Sequence, residues 1–170
     1  MDMMKALVYD RPGSCSIKDL PMPICGEADV IIKVMAASIC KGADRRHHTT
    51  GHKLGRYPVT TGHEFAGYVH QVGSEVKIWK PGDRVTADNA VPCGKCYFCQ
   101  REMYSHCLNF QSVGHSIPGG FAQYVKVKDN SVFRIPDEIP FNEACMTEPV
   151  ACCIHAIDRL DVKYGENVLV

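Results

Sequence analysis

Surplus charge is missing from this 170-residue sequence: nineteen Lys and Arg offset nineteen Asp and Glu, and the formal net charge is zero. Without a basic excess there is no electrostatic footprint for nucleic acid or for an anionic membrane. No run of 18 uninterrupted apolar residues occurs either; the best candidate, Val30 to Ala37, contains Lys33, so no membrane-spanning helix is expected. Aromatics are scarce at 8%, and with Trp79 the single tryptophan they form no stacking array for single-stranded nucleic acid. Internal repeats and low-complexity tracts are absent, which excludes solenoid and fibrous designs. The opening Met1-Asp2-Met3-Met4-Lys5 lacks the basic-then-apolar layout of a secretory signal, so a cytoplasmic protein is expected. What remains is 45% hydrophobic and 22% charged, enough for one domain with its own core.

Cysteine is the one large excess. There are ten, four of them between positions 93 and 107. A disulfide framework suits short secreted chains, so metal binding is the better reading of the cluster. In Cys93-x2-Cys96-x2-Cys99-x7-Cys107, one tight loop containing Gly94 supplies three thiolates, and the longer gap brings the chain round for the fourth. Four thiolates at roughly 2.3 Å enclose Zn²⁺ tetrahedrally and leave no open position, which makes a structural site. Lys95 and Arg101 could offset its surplus negative charge. Iron–sulfur motifs of bacterial type also open C-x2-C-x2-C, but they place the fourth cysteine three residues on and follow it with proline. Here the gap is seven and Leu108 follows, so zinc is preferred. Cys15, Cys25, Cys40, Cys145, Cys152 and Cys153 read individually as small buried hydrophobes.

Short β-branched runs punctuated by Gly and Pro predict strands over Met3–Tyr9, Ser16–Leu20, Val30–Ser38, Glu64–Val72, Arg84–Ala87 and Ala122–Val127. Many short strands with turns between them predict a barrel or sandwich. The character changes near Pro140, where Phe141–Cys145 reads as a helical turn. Val150–Leu160 then carries Ala151, Ile154, Ala156 and Ile157 at the spacing of a helix with one buried face. Asn167–Val170 reads as the opening of a further strand.

A second constellation is Gly62-His63-Glu64-x2-Gly67-x5-Gly73-x2-Val76. His63 could ligate a metal while Glu64 joins or orients it. This run resembles the zinc signature of the medium-chain alcohol dehydrogenase family. The four-cysteine spacing, Lys80-Pro81-Gly82-Asp83-Arg84-Val85 and Gly119-Gly120-Phe121-Ala122-Gln123-Tyr124 resemble further phrases of that family, in the family's order.

The resemblance implies a mainly β fold with a few helices: a GroES-like β-barrel catalytic domain over residues 1–150, with a structural-zinc lobe at about 92–108. Residues 151–170 would be a linking helix and the first strand of a truncated Rossmann domain. It further implies a catalytic zinc held by Cys40, after the Val30–Ser38 strand, and by His63. The Glu148-Pro149 phrase resembles the polyol and sorbitol dehydrogenase branch, so Glu64 and Glu148 are carried as alternating or partial ligands. Thiolate, imidazole and carboxylate around Zn²⁺ leave a position open for a small-molecule alcohol or polyol, whose carbon can pass hydride to NAD or NADP. No nucleic-acid or membrane partner is implied, and a homo-oligomer is compatible with the intact protein.

Two departures stand out. The family's relay hydroxyl after the first cysteine is lacking in Cys40-Lys41-Gly42-Ala43-Asp44, so a proton relay would use water, Asp44, His47 or His48. The run Arg45-Arg46-His47-His48 could favour a phosphorylated polyol but reads first as a solvated cluster. No Gly-x-Gly-x-x-Gly turn occurs, so this chain alone is expected to bind NAD(H) poorly and to transfer no hydride. A non-catalytic zinc-binding module of the same fold is the alternative. His155 is expected to pack near the site without ligating, and Cys152 and Cys153 to fill core space. His106 reads as a zinc-lobe neighbour or a solvated side chain.

Overall fold

Alternating side chains mark the strands that line the core. In the computed structural model, which describes residues 2–169, the chain opens with β1 (Met3–Arg11), β2 (Ser14–Pro21) and β3 (Asp29–Ser38), followed by helix α1 (Ala43–His48). Next come β4 (Val59–Thr60), β5 (Glu64–Val72), β6 (Arg84–Ala87), β7 (Ala90–Val91) and β8 (Gln111–Ser112). The chain finishes with β9 (Tyr124–Lys128), β10 (Val132–Arg134), α2 (Phe141–Ala144) and α3 (Thr147–Leu160). All six expected strands form, with ends shifted by a few residues. The four short strands β4, β7, β8 and β10 carry too few residues to show a period.

One sheet has the order β10-β6-β5-β3-β9, a second β2-β1-β4, and β7 pairs with β8. The two larger sheets meet at Gln123. Its N–H donates to the Lys5 carbonyl at 3.1 Å, its carbonyl accepts from Val34 N–H at 3.0 Å, and its side-chain Oε1 accepts from Lys5 N–H at 2.8 Å. The main core lies inside this wrapped sheet, with Val30, Ile32, Phe65, Val69, Val85, Val125 and Val127 packed together. Each fully buried side chain of this size contributes about 1.5–3 kcal/mol. In β9 the pattern is clean, Val125 and Val127 in and Lys126 and Lys128 out. At the start of β5 it is lost, because Phe65 faces the main core while Ala66 packs on the other side against Ile135, Ala144 and Cys145.

β3 and β5 run antiparallel from Val30↔Val72 to Ser38↔Glu64, with irregularities between Ile31 and Ile32 and between Val34 and Ala36. Gly67 lets the strands close there, since a Cβ at that position would lie 2.0 Å from the Lys33 carbonyl oxygen. At the opposite end of β3, buried Asp29 accepts from Lys128 Nζ at 2.6 Å and Gly26 N–H at 3.0 Å, with Lys126 Nζ at 3.7 Å. Burial raises the pKa of this carboxyl, but the lysines and the amide outweigh it, and the net shift is downward.

The C-terminal part departs from expectation. α3 begins at Thr147 rather than after Pro149. The missing proline N–H falls in the first turn, where no intrahelical acceptor exists, and Val150 N–H makes the first helical bond to the Met146 carbonyl at 3.1 Å. The helix buries no face: Ile154, Ile157 and Leu160 are more than half exposed, because no described element lies against them. Cys152, Cys153 and His155 are exposed as well, not packed. Residues 167–169 form no strand, having no neighbouring strand to complete a ladder, and Val170 lies outside the described residues. Of the six cysteines expected to be buried singly, Cys145 is buried, Cys25 and Cys40 are half-buried, and Cys15, Cys152 and Cys153 are exposed. No described helix is long and apolar enough to cross a membrane.

Gly67→Ala is expected to lower the urea midpoint, with a loss of about 1–3 kcal/mol from forcing bulk into a closed strand pair. Asp29→Asn should lose about 1 kcal/mol at pH 7, the low side for a charge-assisted bond because both lysines stay half-exposed. Since the folded carboxyl titrates below its unfolded value, that difference is full above about pH 4. It should vanish as pH falls through the folded value, as followed by urea titrations at several pH values.

Candidate functional site

The pairing of β3 with β5 builds the site. Ser38, the last residue of β3, lies opposite Glu64, the first of β5, so the chain leaving one strand passes beside the chain entering the other. Cys40 follows on the outgoing side, and His63 precedes Glu64 on the incoming side. Two reciprocal bonds fix Cys40: Asp44 N–H donates to its carbonyl at 3.0 Å, and its own N–H donates to Asp44 Oδ2 at 2.9 Å. Ala43 N–H lies 3.4 Å from the Cys40 sulfur. Gly62 (φ +93°) sets the entry of His63, in the left-handed region that favours glycine, and Gly120 N–H donates to its carbonyl at 2.7 Å.

One ligand atom from each of Cys40, His63 and Glu64 falls within 4.8 Å of the others. His63 Nε2 is 3.8 Å from Glu64 Oε1, and on the far side of the ring Nδ1 is 4.0 Å from Asp44 Oδ1. Glu64, Asp44 and His63 are all buried. Among the described residues no lysine or arginine pairs with either carboxylate. Asp44 Oδ1 and His63 Nδ1 have no hydrogen-bond partner. Burial is the largest influence on Asp44 and pushes its pKa up; Glu64 adds to the rise, while the Cys40 N–H and His63 oppose it. Two buried carboxyls and a thiol beside one imidazole make an electron-rich pocket that a divalent cation fits.

Glu148 is not brought into this group. Its Oε1 lies 3.4 Å from the Cys152 sulfur one helical turn on, and it lines a separate cavity of about 500 Å³ with Thr86, Asp88, Phe133 and His155. His47 is fully buried and His48 exposed.

His47 belongs to an array that sequence reading missed. His52 N–H donates to Tyr57 Oη at 3.2 Å, Tyr57 Oη lies 2.9 Å from His47 Nδ1, and His47 Nε2 lies 3.0 Å from His115 Nδ1. With Oη accepting from the amide, its proton is free for His47 Nδ1, and His47 Nε2–H then faces His115. The His47 and His115 rings are 5.2 Å apart and within 9° of parallel, so the nitrogens meet end to end nearly in one plane. That is hydrogen-bond geometry; nitrogens sharing a tetrahedral ion would point at the ion instead. Burial, with smaller contributions from neighbouring imidazoles, lowers His47 to about 4 and His115 to about 3. The His115 ring lies 4.6 Å from that of His63. Nothing local in the sequence marks these residues; topology alone collects positions 47, 52, 57 and 115.

The second cluster leaves the barrel on β7 and returns on β8. Cys96 Sγ is 3.5 Å from Cys99 and 4.0 Å from Cys107, and Cys93 is 4.0 Å from Cys99. A disulfide needs about 2.05 Å, whereas sulfurs at the corners of a zinc tetrahedron stand roughly 3.8 Å apart. The Lys95 amide, foremost, draws the Cys93 thiol down to about 6, while burial and adjoining thiols push Cys99 up to about 12. Four crowded thiols cannot all ionise without a cation between them. Arg101 stacks over Tyr97 at 3.7 Å, and exposed His106 sits beside Phe98.

A β-barrel with a four-thiol lobe and a Cys–His–Glu group at its rim defines a recognisable class. The alcohol dehydrogenase GroES-like domain matches residues 26–137, and the chain belongs to that family. It is 37% identical over 172 residues to the sorbitol dehydrogenase of Bacillus subtilis (strain 168), covering 98% of this chain and 48% of that protein. It superposes with a TM-score of 0.92 on a zinc-binding dehydrogenase from Sinorhizobium meliloti 1021 bound to NADP, at 36% identity, covering 98% of this chain and 48% of the other. Galactitol-1-phosphate dehydrogenase from Escherichia coli gives a TM-score of 0.83 at 34% identity, over 91% of this chain and 44% of the other. The chain spans about half the length of the curated relatives it matches.

Protein purified without chelator is expected to carry zinc at both the Cys40 and the Cys93 groups, two ions per chain by atomic emission. Cys40→Ser should release one and Cys96→Ser the other. One ion or fewer in wild type would remove the two-site reading.

Proposed function

We propose that the intact protein is a zinc-dependent dehydrogenase that oxidises a polyol or secondary alcohol by hydride transfer to NAD or NADP. Residues 1–150 supply its metal-bearing barrel, and residues 151–170 lead into the cofactor-binding part. The observation that carries this reading is the convergence of Cys40, His63 and Glu64 in a buried pocket without a basic counter-charge. Zinc bound there supplies Lewis acidity toward an alcohol oxygen.

The chain's own residues do the rest. Cys40 is held by its two bonds to Asp44. Asp44 also stands behind His63 Nδ1, which favours a proton on Nδ1 and leaves Nε2 as the donor. Glu64 offers the hard oxygen that suits polyhydroxylated substrates. Glu148 faces another cavity and serves as no ligand in this arrangement. Since Gly42 and Ala43 carry no hydroxyl, protons are held on the Tyr57–His47–His115 array: one on Tyr57 Oη toward His47 Nδ1, one on His47 Nε2 toward His115 Nδ1. The likeness to a sorbitol dehydrogenase and to a galactitol 1-phosphate 5-dehydrogenase supports the substrate class. The 170 residues contain no Gly-x-Gly-x-x-Gly turn, and on its own this chain transfers no hydride in the proposal.

The test is turnover of a panel of polyols, polyol phosphates and secondary alcohols with NAD and NADP by the full-length protein, with the 170-residue chain assayed beside it. Activity is expected in the former only. Cys40→Ser should reduce it about a thousandfold, the equivalent of a few kcal/mol of lost transition-state stabilisation. A zinc-loaded full-length protein that turns over nothing on the panel would instead favour a non-catalytic zinc-binding module of this fold.

A further inference from the structure

We infer that Ser38 is a positioning residue that decides which oxygen of Glu64 is presented to the ion. This rests on the reading of Cys40, His63 and Glu64 as zinc ligands. Ser38 ends β3 directly opposite Glu64, and its hydroxyl donates a short hydrogen bond to Glu64 Oε2. The other carboxylate oxygen, Oε1, faces His63 Nε2 at 3.8 Å. The two oxygens therefore have separate tasks, one anchored to the strand pair and one turned toward the ligand group.

Glu64 has nothing else to hold it. Among the described residues Ser38 is the sole hydrogen-bond donor to its carboxylate, and no lysine or arginine lies within 4.0 Å of it. A glutamate has three side-chain torsions, so without an anchor Oε1 would sample positions that miss the ion. The hydroxyl has one proton and a second acceptor in reach, the Cys145 carbonyl at 3.5 Å. While the proton is on the Glu64 side, Oε2 is engaged and Oε1 is the oxygen that would be free to ligate. Once it turns to Cys145, Oε2 is free to compete with Oε1. Ser38 thereby also links the ligand group to the junction between α2 and α3.

The experiment measures zinc affinity by chelator competition in the full-length protein, with zinc retained at Cys93, Cys96, Cys99 and Cys107 as the index of folding. Ser38→Ala and Ser38→Gly are expected to weaken the Cys40 site about 10- to 100-fold, the usual effect of removing a partner of a ligand. They should also alter the visible cobalt spectrum of that site. Ser38→Thr, which keeps the hydroxyl, should stay within about threefold of wild type. Unchanged affinity and cobalt spectrum in either hydroxyl-free variant would overturn the role of Ser38. Loss in the threonine variant equal to that in alanine would overturn it too. Cys40→Ser separates this from the larger reading: if it releases no zinc, the ligand assignment itself is wrong, whereas release of one ion with an inert Ser38→Ala sinks only the positioning role.

Discussion

Buried negative charge without a basic neighbour is the constraint on which this molecule's chemistry turns. Glu64 and Asp44 are both buried beside a cysteine, and among the described residues neither pairs with a lysine or arginine; the His63 ring lies beside both. Such a cluster is expensive in a low-dielectric interior unless a proton or a cation balances it. The barrel fixes each member in place. Asp44 is locked to Cys40, Glu64 to Ser38, and His63 lies against His115.

That arrangement depends on strand register more than on any single contact. Ser38 opposite Glu64 brings residue 40 alongside residue 63, and a slip of one position in β3 against β5 would turn Glu64 to the other face. The loop carrying Gly119, Gly120 and His115 then wraps the Gly62 carbonyl, so the backbone that aims His63 is itself clamped. The four-thiol lobe is a separate excursion between β7 and β8 and contributes nothing to that register.

The sequence made some of this readable and hid the rest for definite physical reasons. Strands such as β9 announced themselves through alternation, and the cysteine lobe through spacing that only a metal explains. Glu64 and His63 stood in one short run, whereas Cys40 joined them only through the resemblance to the alcohol dehydrogenase family, since alone it reads as a small buried hydrophobe. His115, His52 and Tyr57 could not be anticipated, because they meet only after the chain has crossed the barrel. Ser38 looked like an ordinary strand end until its partner across the ladder was known. Glu148 stands apart in the first turn of α3, where its carboxylate lies against Cys152. The apolar spacing of α3 marks a helix but not a buried face, since spacing says nothing about whether a partner lies opposite.

Gln123 shows how the two sheets share one fate. Three of its polar groups are committed at once, to Lys5 on one sheet and Val34 on the other. Peeling β1 away would strand a donor and an acceptor on the segment that feeds β9, and loosening β9 would do the same to β1. Neither sheet can fray here without breaking hydrogen bonds of the other, so opening at this seam couples the two. The rim that carries Cys40, His63 and Glu64 therefore rests on two sheets that open together.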